Sequence, residues 1–269
     1  MIAERDTLCV NLRDLPYFRA MLRAVEARFY QELDLPGPVL DVGCGDGHFA
    51  SVAFESPLDV GVDPWEGPIR QAAKLGAFAA LVQADGGRMP FPDGYFCSAI
   101  SNSVLEHIPH VDDVLAETGR VLKPGAYFYF CVPNQRFNGN LWVVRLFAGL
   151  GMSRMASSYQ RLYDRVARHQ HLDSPETWQN RLEKVGIEVV RCWDYFSPQA
   201  LHVLEWGHLF GLPSLLIHKL TGHWNLVRSE WNFVLTRRLV QRYYEEETPH
   251  PEGVCTFYLA RKVQSSTHG

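Results

Sequence analysis

The segment that reads Asp41-Val-Gly-Cys-Gly-Asp-Gly47 combines a carboxylate with three closely spaced glycines. It overlaps the short apolar run 39–42, which is typical of a buried strand, and it precedes a helical pattern that starts near His48. Glycine lets the backbone approach a ligand closely, and the amides that open a helix are donors for a polar or anionic group. This arrangement predicts a site for a nucleotide or for the carboxylate of an amino acid.

A second acidic residue, Asp63, ends the next apolar run, 58–62. In a dinucleotide fingerprint, an acidic residue about 20 positions after the glycines holds the ribose hydroxyls. Asp63 satisfies that expectation as well. The glycines and Asp63 alone therefore leave a nicotinamide-dependent oxidoreductase open as an alternative.

Two details separate the alternatives. The spacing is Asp-x-Gly-x-Gly-x-Gly, not the Gly-x-Gly-x-x-Gly of nicotinamide enzymes, and Asp85 follows the apolar run 79–83. Four further segments match successive parts of the pattern of one known family: Met89-Pro-Phe-Pro-Asp-Gly-Tyr-Phe96, Ser101-Asn-Ser-Val-Leu-Glu-His-Ile108, Arg120-Val-Leu-Lys-Pro-Gly125 and Val132-Pro-Asn134.

With these segments, the chain resembles the class I, Rossmann-like, S-adenosylmethionine-dependent methyltransferases of the type 11 family. The resemblance covers 35–134 closely and 174–195 loosely.

The resemblance implies S-adenosylmethionine as cofactor and S-adenosylhomocysteine as product. The residues implied to hold the cofactor follow the first four strands: Asp41, Gly43, Cys44, Gly45, Asp63, Pro64, Trp65, Ala84, Asp85, Gly86, Ser101, Asn102 and Ser103. In this set Asp63 would hold the ribose hydroxyls and Asp85 would face the adenine amino group. Asn102 would lie beneath the sulfonium. Trp65 would flank the adenine, although a tryptophan after a strand is often part of the core.

Histidines are the candidate catalytic residues. Alignment supplies most of the acceleration of methyl transfer, and a base is needed only where the acceptor loses a proton. His107 is the first candidate because an imidazole titrates near neutrality, with packing beside the cofactor turn as the alternative. His169 and His171 follow, because related enzymes turn a lid over the acceptor at this place. No metal is predicted, since this pair has no third ligand nearby.

The fold follows from strands that alternate with helical patterns, which predicts parallel pairing with right-handed crossovers. With the resemblance, the fold class is α/β: a doubly wound, mostly parallel seven-stranded sheet with helices on both faces and an antiparallel last strand. An amphipathic helix is expected over Leu15 to Phe29. We expect a single methyltransferase domain, 1–269, with a cofactor-binding core at 35–134. Helical, aromatic insertions at 136–172 and 197–250 would cap the acceptor side of the active-site edge.

Composition limits the partners. The net charge is −4 and the basic residues are scattered, so no nucleic-acid partner is expected. The dispersed cysteines and the absence of an apolar signal region predict a cytoplasmic protein without disulfides. No apolar stretch is long enough for a transmembrane segment. The apolar patches Trp142–Leu150 and Leu212–Leu220 leave peripheral membrane contact open, and the chain is expected to be a monomer or a homodimer.

The expected reaction is methyl transfer to a small-molecule, saccharide or lipid-like acceptor, with oxygen favoured as the methylated atom. Ser101-Asn-Ser-Val104 stands where a DNA amino-methylating enzyme would carry Asn/Asp-Pro-Pro-Tyr. A non-catalytic cofactor-binding or scaffold protein of the same fold is the main alternative. Glu205-x-x-His208 is expected on a helix surface, as only half of a carboxylate metal motif.

Overall fold

The structure of the protein, a computed structural model, describes residues 6–31, 33–210 and 230–264. The apolar patch expected at 212–220 lies outside these residues. The strands are β1 (Val39–Val42), β2 (Leu58–Asp63), β3 (Phe78–Gln83), β4 (Phe96–Asn102), β5 (Leu122–Pro133), β6 (Ile187–Tyr195) and β7 (Cys255–Lys262).

These strands form a seven-stranded sheet in the order β3-β2-β1-β4-β5-β7-β6. Strands β1 to β5 pair in parallel, whereas β7 is antiparallel to both β5 and β6. The expected fold class is confirmed. The strand order switches between β1 and β4: strands β1 to β3 extend the sheet in one direction and β4 onward extend it in the other. Open α/β sheets bind ligands at the carboxyl ends of the strands beside such a switch point.

Ten helices flank the sheet in the described part of the chain: α1 (Thr7–Asp14), α2 (Tyr17–Gln31), α3 (His48–Ala53), α4 (Glu66–Leu75), α5 (Val111–Val121), α6 (Trp142–Gly149), α7 (Ser153–Ala167), α8 (Pro175–Glu183), α9 (Pro198–Phe210) and α10 (Glu230–Tyr244). The helix expected from Leu15 begins instead at Tyr17, because the residue before Pro16 is extended, as residues before proline usually are. None of the described helices is long and apolar enough to cross a membrane.

The core lies on both faces of the sheet. Alternate residues of β5 point to opposite sides, so that Phe128 and Phe130 join one buried cluster while Tyr129 and Cys131 join the other. The first cluster also contains Trp178 of α8. Helix α8 begins as expected, because the Ser174 hydroxyl accepts a hydrogen bond from the Thr177 amide and Pro175 opens the first turn.

Candidate active site

The turn between β1 and α3 is formed by glycines in the left-handed region. Gly43, Gly45 and Gly47 have φ values of 79°, 55° and 75°. The amides of Gly43 and Cys44 donate to the carbonyl of Val62 at 2.8 and 2.9 Å, which fixes the turn to the end of β2. A Cβ at Gly43 would lie 2.4 Å from a methyl group of Val104, whereas a Cβ at Gly45 would meet no atom within 4 Å. The turn is therefore open to a ligand at Gly45.

Two buried carboxyl groups stand beside this turn. Asp63 accepts hydrogen bonds from the amides of Gly45 (3.0 Å) and Trp65 (2.9 Å), so its carboxylate is oriented by both neighbouring loops. Burial raises the pKa of Asp63. Burial, and then repulsion from Asp63, raise the pKa of Asp41 to about 7, while Arg23 acts in the opposite direction. Such a pair of carboxyl groups favours a cationic ligand.

The ends of β2 and β3 form an exposed rim next to these carboxyl groups. Trp65 is 70% exposed, so it is not part of the core. Asp85 is exposed as well, and its Oδ1 accepts a hydrogen bond of 2.8 Å from the Gly87 amide. The Pro64 carbonyl accepts from the side-chain amide of Gln83 at 3.2 Å. Two more of the implied cofactor residues lie half-buried between the strand end and this loop: Ala84 and Gly86.

The polar side chains that end β4 are bound to the protein itself. The Ser101 hydroxyl donates to the Val42 carbonyl (2.9 Å). The Asn102 side-chain amide and the Ser103 hydroxyl both donate to Glu26 of α2, at 2.7 and 2.8 Å. The sequence interpretation missed Glu26. It stands among Leu22, Val25 and Phe29 on the apolar side of a helix, and a lone charge there was the available signal.

Glu26 is buried, and it joins three segments of the chain. Besides Asn102 and Ser103, the Tyr195 hydroxyl donates to it at 2.9 Å. Burial raises the pKa of Glu26, and these hydrogen bonds act to lower it. The network fixes α2 against the ends of β4 and β6, beside the place where the resemblance puts the reactive sulfonium.

A cavity of about 370 Å³ opens beside the end of β4. Its apolar wall comes from α2, α7 and α9 and includes Phe18, Leu22, Tyr163, Val166 and Leu204. Its polar lining includes seven carboxyl, guanidinium or imidazole side chains: Arg19, Arg23, Glu26, Glu106, His107, His169 and His208. An apolar pocket with a few convergent polar groups is the usual form of a small-molecule site.

Glu106 and His107 place two titratable groups on this cavity. Glu106 is 3% exposed, and its Oε2 has no hydrogen-bond partner among the described residues. Burial raises its pKa to about 8, and Glu26 adds to the effect. His107 Nδ1 lies 3.1 Å from the Arg168 carbonyl. Since a carbonyl only accepts, Nδ1 carries the proton, and Nε2 faces Glu106 Oε1 at 3.5 Å as an acceptor.

His169 and His171 lie in different surroundings. The His169 ring stacks on His107 at a centroid distance of 5.7 Å and lines the cavity. Burial lowers its pKa to about 3, so it is neutral near pH 7. His171 does not line the cavity: its Nε2 lies 3.0 Å from the Ile108 carbonyl, and its ring packs edge-on against Trp178. The structure thus brings two of the three candidate histidines together.

A family model described as a methyltransferase domain matches residues 13–191, more than half of the chain. The chain belongs to this methyltransferase family. An uncharacterised methyltransferase of Mycobacterium avium is 31% identical over 195 residues, 64% of this chain and 76% of that protein. A fatty-acid O-methyltransferase of Mycolicibacterium smegmatis is 36% identical over 110 residues, 39% of this chain and 40% of that protein.

The fold comparison agrees with the family. A SAM-dependent methyltransferase of Thermotoga maritima, described as a possible histamine N-methyltransferase, superposes with a TM-score of 0.55 at 17% identity, covering 91% of this chain and 90% of that chain. The expected class I methyltransferase with S-adenosylmethionine as cofactor is confirmed.

The methyltransferase has a cleft whose charges fit this cofactor. S-adenosylmethionine supplies a methyl group activated on a positively charged sulfur, and its methionine part carries an ammonium and a carboxylate. The paired carboxyl groups of Asp41 and Asp63 suit the positive charges. Arg23, whose charge acts on Asp41, suits the carboxylate. Open space at Gly45 leaves room for the ligand to approach the backbone.

Glu205 of the methyltransferase corrects one expectation. The Glu205-x-x-His208 pair was expected on a helix surface, but Glu205 is fully buried and accepts hydrogen bonds from the amides of Trp142 and Val143. These amides open α6, and a carboxylate at a helix N-terminus satisfies donors that the helix leaves unpaired. His208 lines the cavity. The expectation was wrong because the α6 amides that donate to Glu205 lie 63 and 62 positions earlier in the chain.

Proposed function

We propose that this methyltransferase transfers the methyl group of S-adenosylmethionine to an oxygen atom of a lipid-like acceptor. The observation that carries the proposal is the cavity of about 370 Å³, which has apolar walls and is lined by Ser103 at the end of β4, by the buried carboxyl group of Glu106 and by the more exposed imidazole of His107. An apolar acceptor gains free energy from burial along such walls. A fatty-acid O-methyltransferase among the relatives supports this chemical class.

The proposal assigns the cofactor to the edge formed by β1, β2 and β3. Asp41 would meet the ammonium of the methionine part and Asp63 the ribose hydroxyls, each a charge-assisted hydrogen bond. From the exposed rim, Trp65 would flank the adenine and Asp85 would face its amino group. In this assignment, Asn102 positions the reacting region through its bond to Glu26.

The acceptor side is assigned to the segments that surround the cavity. We propose that 136–172 and the described part of 197–250 form the cap over the acceptor, because Phe137, Tyr163 and Leu204 all line the cavity. Apolar walls exclude water from the reacting groups, which prevents loss of the activated methyl group to hydrolysis.

Glu106 and His107 are assigned as the proton acceptor for a hydroxyl. As the bond from acceptor oxygen to carbon forms and the bond from sulfur to carbon breaks, the hydroxyl proton passes to His107 Nε2 or to the ionised Glu106 carboxylate. Both sites face the cavity, and a pKa of about 8 at Glu106 is close to the working pH, where a general base is most effective. A carboxylic acid acceptor would arrive ionised and would need no base.

A direct assay tests the proposal. The purified protein is incubated with methyl-labelled S-adenosylmethionine and four acceptors, namely a long-chain fatty acid, a long-chain alcohol, a saccharide and an unsaturated hydrocarbon, and the products are analysed by mass spectrometry. We expect a methyl ester or methyl ether of a lipid. Methylation of the hydrocarbon at carbon, or of the saccharide alone, contradicts it. If the protein bound S-adenosylhomocysteine but methylated no compound in a whole lipid extract, the result would favour the scaffold alternative.

A further inference from the structure

Helix α7 has three surfaces along its length. Ala156 and Tyr163 are buried against the body of the protein. Met155, Leu162 and Val166 are 46%, 53% and 65% exposed. Their spacing of seven and four residues returns to the same side of a helix with about 3.6 residues per turn, so they form one exposed apolar line.

The third surface of α7 is basic. Four exposed arginines lie beside the apolar line, on the side away from the buried residues: Arg154, Arg161, Arg165 and Arg168. The neighbouring helix α6, which packs against α7, adds a second apolar line. In it Trp142, Leu146 and Leu150 follow each other at four-residue steps with exposures of 37%, 43% and 64%. We name the exposed apolar residues of both helices the cap face: Trp142, Leu146, Leu150, Met155, Leu162 and Val166.

The charge of this segment is opposite to that of the chain. Residues 142–168 contain five arginines and one acidic residue, Asp164, so five positive charges less one negative charge give +4, against −4 for the whole protein. In the part of the chain that the structure describes, no ion pair involves any of the five arginines. The positive charge is therefore available to a partner outside the molecule.

We propose that the cap face docks on an anionic lipid bilayer, with its apolar side chains in the acyl boundary and its arginines at the headgroups. A helix with one exposed apolar side and a basic edge lies in the plane of such a surface. A second copy of this chain suits the face less well, because a symmetric contact would bring two segments of charge +4 together.

The cavity of the proposed active site lies next to the cap face. Val166 belongs to the cap face and also lines the cavity, so the cavity opens on the proposed membrane side. Resting on the proposed function, this arrangement lets a lipid-like acceptor pass from the bilayer to the site without crossing water. The acceptor would then enter the cavity through the cap face.

Vesicle sedimentation tests the docking without any acceptor. The protein is mixed with vesicles of phosphatidylcholine containing about one third phosphatidylglycerol, or of phosphatidylcholine alone, and the bound fraction is measured over a range of salt concentration. We expect tight binding only to the anionic vesicles. The triple variant Arg154→Gln, Arg161→Gln, Arg165→Gln should bind on the order of 100-fold more weakly, and added salt should weaken the wild type in the same way.

The apolar side chains are tested separately. The double variant Leu146→Ser, Leu162→Ser should bind anionic vesicles about tenfold or more weakly. Two control variants change as many apolar or basic residues at exposed positions elsewhere: Leu75→Ser with Val190→Ser, and Lys74→Gln with Arg88→Gln and Lys184→Gln. Both controls should bind as the wild type does, and thermal unfolding checks that all variants fold.

Three outcomes overturn the docking proposal. These are equal binding to neutral and anionic vesicles, equal losses in the control variants, and a concentration-dependent dimer in analytical ultracentrifugation that the Leu146→Ser, Leu162→Ser variant dissociates. The last result would make the cap face a contact between two copies. Because bare vesicles report only binding, a failed lipid methylation assay with intact vesicle binding would count against the proposed function alone.

Discussion

The proposed cofactor edge, at the ends of β1, β2 and β3, and the proposed acceptor side, around the cavity, differ in how far apart in sequence their contacting residues lie. At the cofactor edge, the bond from the Gly45 amide to Asp63 joins residues 18 positions apart. On the acceptor side, the bonds of Glu26 to Asn102 and Tyr195 span 76 and 169 positions. A short motif therefore specifies the first region, whereas the complete fold is needed to assemble the second.

The two regions also use buried carboxyl groups differently. At the cofactor edge Asp41 and Asp63 raise the negative charge of a cleft, which suits a cationic ligand. On the acceptor side Glu106 stands next to a neutral imidazole in an apolar cavity. A carboxyl group there keeps its proton until the pH approaches 8. In the proposed function, the first pair attracts the cofactor and the second accepts a proton.

Glu106→Gln should affect the two regions most differently, because it should lower kcat without changing the affinity for the cofactor product. If the acceptor is a hydroxyl, we expect kcat to fall by a factor of about 10² to 10⁴, the usual contribution of a general base. The affinity for S-adenosylhomocysteine, measured by calorimetry, should stay within about twofold of the wild type because Glu106 is not among the proposed cofactor residues. An unchanged kcat together with a fatty acid as acceptor would show that no base acts in this enzyme.

The same variant has a second readout that does not depend on turnover. Burial raises the pKa of Glu106 from 4.5 to about 8, so the folded state binds more protons than the unfolded state between these values. The free energy of unfolding of the wild type should therefore decrease as the pH rises from 4.5 to 8. Glu106→Gln should reduce that decrease, as measured by urea unfolding at pH 5, 6.5 and 8. Parallel curves for the two proteins contradict the assignment of a buried, protonated Glu106.

Glu26→Ala tests whether the acceptor side depends on its central network. The change leaves the side chains of Asn102, Ser103 and Tyr195 without their common acceptor, and unpaired buried donors are costly. We expect the free energy of unfolding to drop by about 3 kcal/mol, measured by urea unfolding at pH 7. Glu26→Gln keeps one acceptor oxygen and should lose less. Equal losses for both variants would indicate that the charge, not the hydrogen bonds, stabilises the network.

The contrast between the regions also explains what the sequence could predict. The strand ends, the glycine turn and the capped start of α8 each depend on residues close together in the chain, and the structure has them where the patterns place them. The number of strands and the antiparallel direction of the last strand followed from the family resemblance. Local chemistry decides these features, because turn and cap preferences act over three to six residues.

The acceptor side could not be predicted in the same way. Glu26 belongs to a helix that ends before the first strand, and its partners come from β4 and β6. His107 was a candidate from the sequence but Glu106 was missed, because only the packing of α7 and α9 makes the cavity that both residues line. His171, two residues after His169, contacts the Ile108 carbonyl and does not line the cavity. Its catalytic role stays a prediction.

At the cofactor edge, Asp63→Ala should weaken the binding of S-adenosylhomocysteine by about 1 to 3 kcal/mol. It removes the proposed bonds to the ribose hydroxyls and frees the amides of Gly45 and Trp65. Calorimetry at pH 7 measures the change. Glu55→Ala, an exposed carboxylate beyond α3, serves as the control and should bind as the wild type does. If Asp63→Ala kept full affinity, Asp63 would have to be removed from the cofactor site.

The smallest expected effect is a pH dependence at Asp41. Because its pKa is raised to about 7, roughly a tenth of Asp41 is ionised at pH 6 and roughly nine tenths at pH 8. An ionised carboxylate attracts the ammonium of the cofactor, so the affinity for S-adenosylhomocysteine should rise about tenfold over this range. Asp41→Asn should remove the rise. In Asp63→Ala the rise should move to lower pH, because repulsion from Asp63 is one cause of the raised pKa. A rise that persists in Asp41→Asn would assign the titration to another group and break the link between this buried pair and the cationic end of the cofactor.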